Sequence, residues 1–528
     1  MKSSKSIIQF FAAFTVASVP LHAATINLDL TTTHDSGIVL SSGSNDFSLR
    51  ASVDYLIVAG GGAGGGVNSQ NRAGGGGGAG GLITGTGLSI TGSNSITVGA
   101  GGVAGVINGS AANIGTNGGN SAAFGLTALG GGAGGTNSVI AGAAGGSGGG
   151  GGNNSSTAGA GGADNDANSL GSNGAASVIN SATSRNAGGG GGAGGAASGA
   201  TGGAGSSSSI TGSSVTYAAG GSGGVVTTGN AVGSGAAGAA NTGNGGGGAF
   251  RNTTGGAAGT TNTSVGGNGG SGIVVVSYTG TTALFTGGTI TTSGGKTIHT
   301  FTSTGSSNLN LTASNATINC VISGAGDLLW DKTGTLTLGG ANTYTGSTTI
   351  NSGRLIVNGS TDSASAFVVN GGTLAGASGT DGIRGSVALN TGSSVAPGNG
   401  VASIGELKLG ATTLNANSLF QFDLASSGTS SDSLTIDGGF NRTTGNIQFD
   451  FMGSTPAAAS VFTLATFTST SGFSLENFSF TNLGGLNNTG TFTLNPTSLT
   501  FTAVPEASNL LIGGLIGLGL LKRRRKNA

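Results

Sequence analysis

The chain has 528 residues, of which 116 are Gly, with only 6% charged and 5% aromatic residues; that is about three times the usual ~7% share of glycine. Seventeen Lys and Arg balance seventeen Asp and Glu, so the basic field that a nucleic-acid partner requires is missing. Three His, one Cys and one Trp are too few for a zinc site, a thiol pair or most His-dependent hydrolysis. No metal, cofactor or catalytic activity is therefore expected, and the composition is that of a scaffold. The length allows two to four domains, and shifts in composition mark them in chain order.

Residues 1–24 open with Met1, Lys2 and Lys5, continue through an apolar stretch at 7–16, and end on Pro20, Leu21, His22, Ala23 and Ala24. A basic start, a short apolar middle and a small-residue exit make a secretory signal peptide, too short to span a membrane comfortably. The partners this implies are the Sec translocon and signal peptidase. In an exported chain a single Cys320 cannot staple the fold, and its alternating surroundings predict a small buried side chain. Residues 25–50 form a lead-in.

Between residues 51 and 280 lie 77 of the glycines, no Pro, and six charged residues: Asp54, Arg72, Asp164, Asp166, Arg185 and Arg251. Collagen needs a strict Gly-X-Y repeat and abundant Pro, and neither is present. Large side chains are too sparse for a conventional core, so backbone hydrogen bonds must carry more of the stability. The runs at 74–78, 148–152 and 188–192 lack Cβ atoms, so extended three-residue-per-turn segments can approach closely and bond laterally. A disordered Gly/Ser tract is the competing reading. Two strong strand patterns bracket the region and argue against it: Val53 to Ala59 (VDYLIVA) and Gly272 to Tyr278 (GIVVVSY). This bracketing resembles the glycine-rich domains of bacterial surface proteins and phage tail tips, which implies a packed polyglycine array framed by a β-sheet. A phage-like trimeric receptor-binding tip is a further possibility under that resemblance.

Three local patterns in this half invite a ligand. Gly60, Gly62 and Gly65 follow a strand as in a dinucleotide fingerprint, but another glycine run follows instead of a helix, and no acid stands about 20 residues on. Gly294, Gly295, Lys296 and Thr297 have Ile290 where a phosphate loop needs its first Gly, and the residues that follow alternate like a strand. Asp164, Asn165 and Asp166 begin like a calcium loop but lack its sixth-position Gly and twelfth-position Glu; a solvated turn is the simpler reading.

From residue 281 to 503, Gly falls and Thr, Ser, Asn, Val, Leu and Phe rise, with fifteen of the 21 Phe here. Short alternating runs recur at a spacing near twenty residues, separated by Gly, Asn and Ser, with no 3.6-residue period. Strands joined by turns too short for helices, each burying one face, fit a solenoid of stacked coils, a parallel β-helix. Residues 324–355 (GAGDLLWDKTGTLTLGGANTYTGSTTINSGRL) closely resemble the autotransporter-associated β-strand repeat of secreted passenger domains, and Val395 to Gly400 (VAPGNG) resembles the "LAPGNS" turn of the same families. Leu336, Leu338, Ile350 and Leu355 should point inward, with Asn342 and Gly346 at corners. β-Helices also carry polysaccharide lyases and hydrolases, which gather acids on one face. Glu406, Asp423, Asp432 and Asp437 are the candidates, with Lys408 and Arg354 as cations, but no motif joins them, and solvated surface is the expected role.

Residues 504–528 carry Val504, Pro505, Glu506, Ala507 and Ser508, an apolar run at 510–521, and the basic stop Lys522, Arg523, Arg524, Arg525 and Lys526. An apolar segment closed by cations sits in a membrane with its basic end cytoplasmic. This end resembles the PEP-CTERM sorting signal of exopolysaccharide-producing Gram-negative bacteria, with Ala507 in place of the second Pro. The resemblance implies a transient membrane helix cut by an exosortase-type protease; a plain membrane anchor is the alternative. A chain trimmed at both ends, after Glu506, would keep ten Lys and Arg against seventeen acids. The expectation is an all-β protein: a polyglycine II-like domain, then a right-handed parallel β-helix, then a membrane helix. It is expected to be exported to the outer surface or extracellular matrix of a Gram-negative-type bacterium, structural or adhesive, with exopolysaccharide or surface glycans as partners. A β-helix carbohydrate-active enzyme is the rival.

Overall fold

The computed structural model describes residues 24–503 apart from 32–36, 106, 109–110, 113, 182–183, 228–231, 253–263, 378–380, 401–402, 426–429, 454–456, 458 and 484–488. Of the expected signal peptide at 1–24, residues 1–23 lie outside the described residues, as does the whole of the expected sorting segment 504–528. Among those described, the regular structure is β apart from one short turn of 3-10 helix at Leu475–Asn477, and no helix is long and apolar enough to cross a membrane. The chain forms two compact units, one from Asp29–Thr32 and Leu49–Ala313, the other from the described residues up to Leu28, Thr33–Ser48 and those from Ser314 onward. The glycine-rich unit thus runs past the 280/281 division expected from composition.

In the glycine-rich unit the two bracketing patterns are adjacent strands. Val274 pairs antiparallel with Ile57 and Val276 with Tyr55. Lys296–Phe301 and then Thr289–Ser293 extend the sheet on one side, and Leu82–Ile90 lies on the other. Ile273–Val276 is an unbroken apolar run because both faces of its strand are covered. Val274, Val276 and Tyr278 pack with Ile57, Phe285 and Phe301, while Ile273 and Val275 pack with Leu56, Val58 and Ile298. Phe285, in the stretch 281–313, is fully buried in that core, which is why the unit cannot end at residue 280.

The glycine runs hydrogen-bond with a period of three. Gly74 and Gly77 donate to Ala249 and Gly246, Gly75 and Gly78 to Gly135 and Gly132, and Gly76 and Ala79 to Gly188 and Gly191, all at 2.7–2.9 Å. Each third residue returns to the same neighbouring segment, so one extended run is tied to three others. The runs at 148–152 and 188–192 follow the same rule, with Gly148 and Gly151 donating to Ser172 and Ala175, and Gly188 and Gly191 to Gly151 and Gly148. Every amide from Gly74 to Gly81 is satisfied by a backbone carbonyl, which meets the obligation of a buried main chain.

The second unit is built from parallel rungs. The chain alternates between two sheets. One contains Asp327–Trp330, Thr348–Ile350, Phe367–Val369, Val387–Leu389, Glu406–Leu414, Ser433–Arg442 and Val461–Ser471. The other contains Ala316–Ile318, Thr335–Leu338, Arg354–Val357, Thr373–Gly376, Ser394–Pro397, Ser418–Leu424, Ile447–Gly453 and Phe478–Thr481. Register partners Leu328, Thr348, Phe367 and Val387 reproduce the expected twenty-residue coil. The next partners, Thr412 and Phe440, come after longer coils. Leu336, Leu338, Ile350 and Leu355 are fully buried, as expected. Asn342 is buried at its corner, accepting from the Ile322 amide at 3.0 Å and donating to Gly340 O at 3.0 Å. Cys320 corrects the expectation: it lies in a turn and is only partly buried. The later coils are lined by Phe420, Phe422, Phe449 and Phe451. The antiparallel hairpin Gly490–Asn495 and Ser498–Ala503 closes the edge of the first sheet at Val461–Ser471.

Candidate functional site

Of the four candidate acids, the structure brings two together and separates the others. Asp423 is the last residue but one of the strand Ser418–Leu424, where Phe420 and Phe422 take the inward positions, so its side chain lies on the outer side. There the stretch Ser403–Gly405 covers it. Asp423 and Asp432 are only 2% and 1% exposed. Asp432 accepts from the Gly405 amide at 2.7 Å and from the Asp423 amide at 2.8 Å, one on each oxygen. Asp423 in turn accepts from the Ser403 amide at 3.1 Å, and its carbonyl accepts from the Asp432 amide at 2.8 Å. Two carboxylates therefore hold one loop by its backbone. Gly398 bends that loop with φ of +83°, which explains the glycine of the VAPGNG turn, and its amide donates to Gly376 O at 2.7 Å.

Burial pushes the Asp432 carboxyl up to about 7; the two amide donors pull it down, the nearby Asp423 raises it, and Arg354 lowers it. Arg354 reaches Gly398 O at 3.5 Å through Nη2. Its Nε and the Asp423 Oδ1 have no hydrogen-bond partner among the described residues. The arrangement is a loop clamp: each acid accepts from a backbone amide of that loop, and neither faces solvent.

The remaining two acids stand on the exposed face. Asp437 pairs with Lys408 at 3.0 Å. Glu406 accepts from the Thr435 hydroxyl at 2.5 Å, and Thr435 lies 3.4 Å from the Thr466 hydroxyl one rung further. Glu406, Thr435 and Thr466, with Ser431, Ser433 and Thr463, line an open groove of about 620 Å³ crossing three rungs, which stack at about 4.8 Å. Ser431 and Ser433 flank Asp432, so strand alternation turns the serines to the groove and the acid to the clamp behind it.

Sequence reasoning missed a row of amides. Asn370 donates to Asn351 at 3.0 Å, Asn390 to Asn370 at 2.8 Å and Asn415 to Asn390 at 3.0 Å. The signal was present: TTIN, FVVN, VALN and TTLN each place Asn directly after the last residue of a strand. Asp164 and Asp166 shape a turn: Asp166 accepts from the Leu129 amide at 2.8 Å and from the Ser169 hydroxyl at 2.5 Å. No group of three metal-ligating side chains occurs among the described residues. His299 is fully buried in the glycine-rich unit, with Nδ1 2.8 Å from Gly287 O and Nε2 3.1 Å from the Tyr278 hydroxyl. A carbonyl must accept, so Nδ1 carries the proton and Tyr278 donates to Nε2. Burial lowers the His299 pKa. The Val504–Ser508 motif and the Lys522–Lys526 stop lie outside the described residues.

A unit of parallel rungs and a glycine array in one chain define a class, the repeat-built β proteins, and comparison with known families narrows it. Residues 41–279 match a glycine-rich domain and residues 333–357 match the passenger-associated-transport-repeat. The repeat match spans Thr335–Leu338, the Asn342 corner, Thr348–Ile350 and Arg354–Val357. Together they fit a surface or autotransporter-type passenger protein, exported and exposed at the cell surface. No curated protein matches the chain. Neither match reaches residues 504–528, so the sorting signal rests on its sequence resemblance alone.

Proposed function

We infer that this chain is a non-catalytic structural and adhesive protein of the bacterial outer surface or extracellular matrix. In this reading the Sec translocon and signal peptidase process its start, and an exosortase-type system sorts it through Val504–Ser508 and the Lys522–Lys526 stop. The glycine-rich unit is a polyglycine II-type array, in keeping with its period of three. The second unit is a right-handed parallel β-helix, the hand that parallel crossovers overwhelmingly take. The observation that carries the non-catalytic reading is the fate of Asp423 and Asp432, buried and engaged with the amides of Ser403, Gly405 and Asp423. Adhesion falls to uncharged hydroxyl rows such as Thr435 and Thr466, whose chemistry suits hydroxyl-rich exopolysaccharide or surface glycans. Glu406 is the one groove-lining acid among the described residues, and it carries the rival reading of a carbohydrate-active enzyme. The test is fractionation of the producing cells with mass spectrometry of the native termini. A product at the surface, lacking the first ~24 residues and the basic tail, is expected; an intact chain in the cytosol overturns the proposal. Glycan turnover by the purified chain, abolished by Glu406→Gln, would establish the enzyme instead.

A further inference from the structure

The framing sheet of the glycine-rich unit ends in an open edge. Thr289–Ser293 pairs with Lys296–Phe301 on one side, and no described strand pairs with the other. All five residues are exposed, Ile290 at 42%. The strand holds its register with its neighbour throughout, without a bulge, and the sequence Thr-Ile-Thr-Thr-Ser has no charge and no Pro. Proteins ordinarily blunt such edges with charge, Pro, a bulge or a cover, because a row of free N–H and C=O groups templates pairing with another chain. No charge, Pro or bulge is used here, and among the described residues only the turn at Gly212 comes close, against Ser293 at the strand's end. The nearest charges, Lys296 and Asp54, neutralise each other at 2.7 Å.

We propose that this edge is a self-association surface: Thr289–Ser293 of one copy pairs antiparallel with the same strand of a second copy, about a twofold axis through Thr291. A twofold interface must be self-complementary. With Thr291 on the axis, Thr291 faces its own copy, Ile290 faces Thr292, and Thr289 faces Ser293. These are β-branched and hydroxyl pairs of the kind that stabilise antiparallel ladders, and a neutral strand meets itself without repulsion. Side chains this short and uncharged give a foreign peptide little to read beyond the backbone. The second copy therefore fits better than a heterologous partner. Five residue pairs fall well below the ~1,200 Å² of a standard stable interface, so association is weak in dilute solution and strengthens where copies are crowded together.

Sedimentation of the purified full chain over a hundredfold range of concentration tests this. The weight-average mass should climb toward twice that of one chain. Thr291→Lys and Ile290→Lys should each abolish the climb, with unchanged circular dichroism and melting temperature because both positions are exposed. Because residue 291 meets its own copy, an equimolar mixture of Thr291→Lys and Thr291→Glu chains should recover association that neither shows alone. A wild-type chain that stays monomeric, one that forms trimers, lysine variants that associate like wild type, or a mixed pair that fails to recover would each overturn the proposal. The measurement reads assembly of purified protein, so its result is independent of export and sorting.

Discussion

Replacing Gly76 with Ala tests the close-contact account of the glycine runs directly. A Cβ at this position would lie 2.0 Å from Gly221 O, where ordinary contact begins at 3.4 Å. Gly221 is held in place: its amide donates to Gly77 O and its carbonyl accepts from the Gly190 amide, both at 2.9 Å. Gly76 is equally fixed, donating to Gly188 O at 2.9 Å and accepting from the Gly150 amide at 2.8 Å. Relieving a 1.4 Å overlap means breaking two or three of these bonds at about 1 kcal/mol each, with an overpacking cost of about 1–3 kcal/mol. The expected loss of about 3–5 kcal/mol is a large share of a domain's ~5–15 kcal/mol. Gly195 is the control, because nothing lies within 4 Å of its added Cβ and its backbone is not left-handed; Ala there should be neutral or stabilising by up to about 1 kcal/mol. Hydrogen exchange of the full chain, read by mass spectrometry, should show Gly76→Ala losing protection at 74–79 and 188–191 while the parallel-rung peptides keep theirs. Wild-type protection in Gly76→Ala would refute the idea that backbone proximity demands these glycines.

The two units should respond oppositely to pH. Asp432 binds its proton more tightly folded, at about 7, than unfolded at ~3.9. The folded state therefore holds the extra proton, and stability of the parallel-rung unit should fall as pH rises from about 4 to 7, by at most about 4 kcal/mol. Asp432→Asn should flatten that slope in urea titrations. It should also cost about 1–3 kcal/mol at pH 5, because a carboxamide cannot accept from both the Gly405 and Asp423 amides. His299, whose pKa burial lowers, binds its proton more tightly unfolded, so the glycine-rich unit should weaken as pH falls below ~6.5, visible as earlier exchange in residues 273–301. Asn370→Ala removes the middle of a bonded row and leaves Asn351 and Asn390 without it; a loss of about 1 kcal/mol in the urea midpoint is expected. Leu336→Ala, fully buried between Ala316 and Leu355 in register, should cost about 2–5 kcal/mol.

What the sequence determined by itself was local. Period-two alternation fixed Thr335–Leu338 and Thr348–Ile350 as strands and put Leu336 and Ile350 inside, because a strand's two faces follow directly from residue order. The glycine runs likewise declared that backbone would meet backbone, since only missing Cβ atoms allow it. Only tertiary structure decided partners. Residue order does not say that Gly76 bonds to Gly188 rather than to another of many identical glycines, nor that Phe285 completes the core beneath Tyr278 and so carries the unit past residue 280. It did not separate Asp423 and Asp432 from Glu406 and Asp437 either. All four sit in similar alternating runs, and which carboxylate is buried was set by the Ser403 and Gly405 amides reaching Asp423 and Asp432, contacts that no single stretch of sequence encodes.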